Sequence, residues 1–180
     1  MSQHPFDVLT PDTIIDAVES AGFVSDARLF PLNSYENRVY QVGIEDGEPV
    51  VVKFYRPGRW TTEQIREEHE IARELYDLEN PDVAPWYDAA DRSIFSHQDL
   101  LFTVFPRRGG HAPEFDNLDN LLILGRTLGR IHAVGSARAF QHRETLDGDA
   151  ILRESRLVVA DRFVPMDLRT PYFTLLDDVE

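Results

Sequence analysis

Three extended-type runs, residues 27–32, 38–44 and 49–55, are separated only by the polar link Asn33-Ser34-Tyr35-Glu36-Asn37 and the turn Glu45-Asp46-Gly47-Glu48. A crossover between parallel strands needs about a dozen residues, usually including a helix, and neither link is that long. The runs are therefore expected to pair as an antiparallel meander. Residues 63–78 then carry the apolar period of a long helix, and Thr61 and Gln64 have the spacing of a capping box at its start. An antiparallel sheet followed at once by one long amphipathic helix predicts an α+β fold.

The flanking segments are read in the same way. Thr10 and Pro11 begin a short helix whose Ile14, Ile15 and Val18 share one face before Gly22 stops it. After a turn at Asn80-Pro81 the chain is extended through Val83-Ala84-Pro85-Trp86, and a hairpin is expected to join residues 84–88 to 100–105. Pro106-Arg107-Arg108-Gly109-Gly110 breaks that pattern and marks a lobe boundary. Residues 117–134 form a second long helix with Leu118, Leu121, Leu122, Gly125, Leu128, Ile131 and His132 on one stripe, His132 reading as a hydrogen-bonded core residue. Gly125 and Gly129 leave room for another backbone, and residues 151–163 are the best helix of the remaining stretch.

Composition removes several classes of function. The 180 residues carry 32 acidic and 18 basic side chains, a formal charge of −14, and no cysteine. Such a surface repels nucleic-acid phosphates and anionic lipid, so neither nucleic acid nor membrane is an expected partner. Without cysteine there is no disulfide, thiolate nucleophile or Cys-ligated zinc, and the six histidines lack ligand spacing. The first residues have no basic start or apolar signal core, and a cytoplasmic location is expected.

Only one of the 18 basic residues is lysine, Lys53, set among Val51, Val52, Phe54 and Tyr55. On the following helix Ile65, Ala72, Leu75 and Leu78 define an apolar stripe, and Glu68 lies on it. A glutamate on an apolar face must find a positive partner or bear a large desolvation cost. Two arrangements remain open from spacing alone: a Lys53–Glu68 ion pair, or Glu68 at the stripe's edge in water with Lys53 snorkelling from an edge strand. An ordered pair of this kind has a use in kinase-like sites, where it holds the lysine on the α- and β-phosphates of ATP. The 33–37 link would then cover the phosphates, although it contains none of the glycines usual there.

Longer strings make a resemblance specific. Residues 31–42, 51–61 and 67–76 are similar to the small lobe of the bacterial stress response kinases, within the aminoglycoside-phosphotransferase and choline-kinase-like family of protein-kinase folds. Residues 102–110 and 124–135 resemble that family's interlobe hinge and first large-lobe helix. The resemblance implies a kinase-like small lobe over 1–106, a hinge or linker over 107–116, and the opening of a truncated helical lobe over 117–180. It implies an ATP site in which Lys53 binds phosphate, Glu68 orients it, and Ser34 and Asn37 belong to the covering loop. Val104, Phe105 and Pro106 fall on the adenine hinge, with the main-chain donor on Phe105 or a neighbour because proline has none. The implied cofactors are ATP and magnesium, and the implied acceptor is a protein serine or threonine.

The same comparison exposes a gap. The family's catalytic loop, H-G-D-x-x-x-x-N, and its downstream metal-binding Asp are not found. His97-Gln98-Asp99 imitates three residues but precedes the hinge, Gly148-Asp149 lacks the histidine, and Asp177-Asp178 reads as a solvated acidic end. The 180 residues alone are expected to bind nucleotide without catalysing transfer, and magnesium ligands are expected to lie elsewhere. The alternatives are an inactive regulatory or docking module, self-associating through the apolar helix 117–134, and a small-molecule kinase of the choline, homoserine or aminoglycoside type.

An acidic surface built with Arg in place of Lys suits a high-salt cytoplasm. Thermal unfolding followed as KCl is raised towards molar concentrations is expected to show stability held or increased; a fall would contradict this reading.

Overall fold

The structure is a computed structural model that describes residues 5–78, 84–146 and 148–178. The chain divides into two compact units, Met1–His142 and Arg143–Glu180. The first is built on a five-stranded antiparallel sheet: β1 (Ser25–Leu32), β2 (Arg38–Ile44), β3 (Val50–Phe54), β4 (Phe95–His97) and β5 (Leu100–Pro106), in the order β1-β2-β3-β5-β4. The meander expected from the short links is β1-β2-β3.

Register gives the sheet two dissimilar faces. Val39, Lys53 and Thr103 lie opposite one another across β2, β3 and β5, so their side chains share one face. The other face carries Val42, Val50, Val52, Phe54, Phe102 and Val104, all buried against α1 (Pro11–Ser20) through Ile14, Ala17 and Val18. Phe54 meets Phe102 at 5.4 Å between ring centroids and Phe102 meets Phe95 at 5.5 Å, with Trp86 stacked beyond. Each fully buried aromatic contributes on the order of 1.5–3 kcal/mol, so this face supplies most of the unit's cohesion.

Local signals set the helix ends. Thr10 accepts from the Thr13 amide at α1, where Pro11 takes a position that needs no donor. Between β3 and β4, α2 (Thr62–Asp77) has the full capping box: Thr61 accepts from Gln64 N–H at 3.2 Å, and Gln64 accepts from Thr61 N–H at 3.0 Å. Ile65 and Leu75 are buried as expected, whereas Leu78 is 57% exposed. The expected turn residues Asn80-Pro81 and the following Val83 lie outside the described residues.

The hairpin partner differs from expectation. β5 pairs with Phe95–His97, not with residues 84–88. Gln98 and Asp99 both take left-handed φ values, 46° and 63°, and close a two-residue turn without glycine. His97-Gln98-Asp99 is therefore a hairpin end. Residues 84–88 still reach β5 through one bond, Trp86 N–H to the Val104 carbonyl at 2.8 Å.

The last helix of the first unit is α3 (Leu118–Gly135), capped by Asn117 and packed against α2. Leu118, Leu121, Leu122, Ile123 and Leu128 are exposed, and His132 is exposed rather than in a core. Nothing lies within 4 Å of a side chain built at Gly125 or Gly129. In the second unit α4 (Gly148–Arg162) leads through a short 3-10 turn, Met166–Leu168, into α5 (Arg169–Asp177). Arg156 pairs with Asp177 and lies over the Phe173 ring, so Asp177 has a defined partner. Among the described residues no helix is long and apolar enough to cross a membrane.

A buried polar chain joins α2 to the sheet. The Tyr55 hydroxyl bonds His69 Nε2 at 2.9 Å, His69 Nδ1 bonds Ser93 Oγ at 2.8 Å, and the Thr103 hydroxyl donates to the Ser93 carbonyl at 2.7 Å. His69 is 1% exposed. Burial pushes its pKa down from 6.5 to about 4; Glu68 opposes the shift and Lys53 adds to it.

Two outcomes follow for stability. Phe102→Ala is expected to cost about 3–5 kcal/mol in urea unfolding, because it opens a cavity between Phe54 and Phe95. For His69 the unfolded chain takes up the proton first as pH falls, so its contribution is complete above 6.5 and is lost towards 4. The loss is roughly 3 kcal/mol at about 1.4 kcal/mol per pH unit. Denaturation profiles at stepped pH should show this decline, and His69→Gln should flatten it.

Candidate functional site

Strand alternation turns Lys53 away from the aromatic core and onto the sheet's second face, where the capped helix α2 brings Glu68 to it. Lys53 Nζ lies 3.0 Å from Glu68 Oε1, with the two side chains 20% and 35% exposed. Of the two arrangements left open by spacing, the structure contains the ion pair. The ammonium also sits 4.6 Å from the centre of the Tyr55 ring, a cation–π contact. Tyr55 is itself fixed by His69, so the lysine is confined from two sides by residues anchored on α2.

The link between β1 and β2 is fastened by its own side chains. Ser34 Oγ donates to the Asn37 carbonyl at 2.9 Å, and Asn37 Oδ1 accepts from Arg56 N–H at 3.2 Å. Glu36 receives Arg59 Nε at 2.7 Å. The Arg56 and Arg59 contacts tie the link to the stretch between β3 and α2, next to Lys53. None of residues 33–37 takes a positive φ, which explains why the link functions as a turn without glycine. Tyr35 stands at its tip, fully exposed.

An apolar strip lies beside Lys53 on the same face. Phe30 and Leu32 pair with Gln41 and Val39, which pair with Val51 and Lys53; Val51 in turn faces Phe105. Phe30 is 55% and Leu32 40% exposed, while Val39, Val51 and Phe105 are partly buried. An apolar strip leading to an ammonium suits a ligand with an aromatic ring at one end and anionic charge at the other. Phe30, Leu32, Val39 and Val51 were not read from the sequence as site residues. The available signal was the run Val50-Val51-Val52, because a strand with only one face to cover would alternate.

At the end of β5 the three hinge candidates separate. Val104 is buried on the core face, with its carbonyl taken by Trp86 N–H. The Leu101 carbonyl accepts from Tyr55 N–H at 2.9 Å, so alternation turns the main-chain groups of Phe105 towards β3 as well. The Phe105 side chain joins the apolar strip, and the Pro106 carbonyl turns to the side opposite β3.

Glu67, beside Glu68, is the more buried of the pair at 9% exposure, but it faces elsewhere: its carboxylate accepts from the Gln141 and His142 amides. The preference for Glu68 as the lysine's partner therefore holds for a positional reason. Among the described residues no group of three or more His, Asp and Glu side chains is arranged to hold a metal ion. The Lys53 ammonium and the apolar strip beside it fit a nucleotide.

Comparison with known proteins shows the family. Over 179 residues the chain is 42% identical to stress response kinase A of Escherichia coli (strain K12), covering 99% of this chain and 54% of that protein. Over 156 residues it is 45% identical to the serine/threonine protein kinase RdoA of Salmonella typhimurium, covering 87% and 47%. The chain thus spans about half the length of these curated relatives. Among solved structures, the amicoumacin kinase hAmiN in complex with AMP-PNP, Ca2+ and Ami shares the fold at a TM-score of 0.62 and 18% identity, over 84% of this chain and 53% of that one. A microcompartment-associated aminopropanol kinase does so at 0.58 and 17%, over 83% and 54%. The phosphotransferase enzyme family model matches residues 28–170, most of the sheet and the helices that follow it, and this chain belongs to that family.

Proposed function

We propose that this chain is the ATP-binding part of a stress-response-type serine/threonine protein kinase, with the small lobe over 1–106, a linker over 107–116 and the start of the helical lobe from 117. The observation that carries this reading is the Lys53–Glu68 pair at 3.0 Å at the end of an open apolar strip. Lys53 neutralises the α- and β-phosphate oxygens, and Glu68 keeps the ammonium in place. Phe30, Leu32, Val39, Val51 and the Phe105 side chain cover the adenine ring; Val104 supports them from the core side and the Pro106 carbonyl marks the hinge edge. Ser34 and Asn37 hold the covering loop in shape, leaving its backbone amides to approach the phosphates. Magnesium bound with ATP would supply further positive charge to the phosphates. Its protein ligands and the base that accepts the hydroxyl proton are absent from the sequence motifs, so this chain binds nucleotide without turning it over. Use of ATP as ligand supports a cytoplasmic location.

The protein acceptor is supported by the name of the relative at 45% identity, whereas the two structural neighbours are named as amicoumacin and aminopropanol kinases and share only the fold. A second reading, a docking or self-associating module, is favoured by exposed Leu118, Leu121, Leu122, Ile123 and Leu128 on α3.

Calorimetric titration separates the readings. ATP is expected to bind saturably, and Lys53→Ala to weaken it about tenfold to a hundredfold, the range of one or two lost charge-assisted hydrogen bonds. Glu68→Gln should weaken it less, by about threefold to tenfold. No ATP binding, together with a stable dimer, would reject the nucleotide reading in favour of the module.

A further inference from the structure

We infer that Glu67 is a positioning residue for Lys53: by gripping the chain that leaves α3, it fixes α2 about its axis and so keeps Glu68 on the lysine. Its reach to nucleotide rests on the ATP reading above; the effect on the lysine does not.

A carboxylate with 9% exposure needs dedicated partners, and Glu67 has a matched pair. One oxygen accepts from Gln141 N–H and the other from His142 N–H, so two successive amides are held by both arms of one carboxylate. Gln64, one turn earlier on the same helix, donates through Nε2 to the His142 carbonyl at 3.0 Å. Glu74, two turns further on, meets Arg138 at 3.7 Å. Residues 138–142 therefore lie along α2 as a strap over nearly three turns, roughly 15 Å at 1.5 Å per residue.

Adjacent helix positions point about 100° apart, so Glu67 and Glu68 hold α2 on two different sides. Rolling the helix far enough to withdraw Glu68 would pull both Glu67 oxygens off their amides. The two clamps are unequal. Lys53–Glu68 is a partly exposed pair, of the kind that contributes little by itself, whereas the buried Glu67 carboxylate makes two charge-assisted bonds to backbone. The stronger clamp sets the position of the weaker one. The strap also follows directly from the α3 cap at Ser136, so the position of α3 is passed to the lysine through α2.

The sequence offers a direct reporter, because Lys53 is the only lysine and ¹³Cε-lysine labelling of the full chain gives one side-chain resonance. In Glu67→Gln, the amide cannot accept from both backbone donors, and this resonance is expected to move in the same direction as in Glu68→Gln. Adding Glu67→Gln to Glu68→Gln should produce no further movement. A gentler variant, Gln64→Glu, keeps the oxygen that accepts from Thr61 but loses the donor to His142, and should give a smaller shift of the same sign. It also decides the matter should Glu67→Gln fail to fold. In titrations, Glu67→Gln should weaken ATP about fivefold and leave adenosine, which has no phosphates, unchanged.

An unmoved lysine resonance in the variants that fold, additive shifts in the double variant, or equal loss of ATP and adenosine would each overturn the positioning role. If the parent chain binds neither ligand, the ATP reading fails while the lysine resonance still decides the role of Glu67.

Discussion

The two faces of the central sheet are the constraint on which the rest depends. One face is filled by α1 and the Phe54–Phe102–Phe95 aromatic group, so the other is free to carry polar and half-exposed residues. Lys53 is tolerated in a central strand because its neighbours in sequence, Val52 and Phe54, point into the core and do the cohesive work. An ion pair as exposed as Lys53–Glu68 contributes roughly 0.2–1 kcal/mol, less than one buried isoleucine at about 1.5–3 kcal/mol. Ile65, Leu75 and His69 keep α2 on the sheet; the pair that they bring together is available for chemistry because stability does not rest on it.

The readable part of the fold was the part set by neighbours in sequence. The Thr10 and Thr61 caps, the meander and α2 each follow from residues within a few positions of one another, and they stand where they were expected. The partner of β5 was misread because Gln98 and Asp99 adopt left-handed conformations with neither glycine nor asparagine to announce them. His132 departs from expectation for another reason: an apolar stripe on α3 implies a buried face, and the residue is exposed.

The site divides along the same line. Glu68 could be chosen over Glu67 from helix period alone, since the lysine lies on the very next element upstream. The use made of Glu67 could not, because its partners Gln141 and His142 are more than seventy residues away and contribute only backbone amides, which no side-chain pattern encodes. Phe30 and Leu32 were hidden by a similar effect. Exposed apolar residues on a strand read as ordinary surface until the register shows them on the face of Lys53.

Charge gives the lone lysine a further meaning. A chain of formal charge −14 repels a nucleoside triphosphate at a distance, so on the proposed reading attraction for one has to be local. Several arginines of this unit are spent on carboxylates: Arg28 on Asp26, Arg59 on Glu36, Arg73 on Asp91, Arg92 on Asp88. Lys53 is engaged as well, but by a single carboxylate oxygen at 3.0 Å, and an ammonium has three protons to direct where a guanidinium is committed to a planar fork. Glu68 uses one of those directions to fix the nitrogen in space. The remaining donor capacity, beside an apolar strip, distinguishes this cation from those paired arginines.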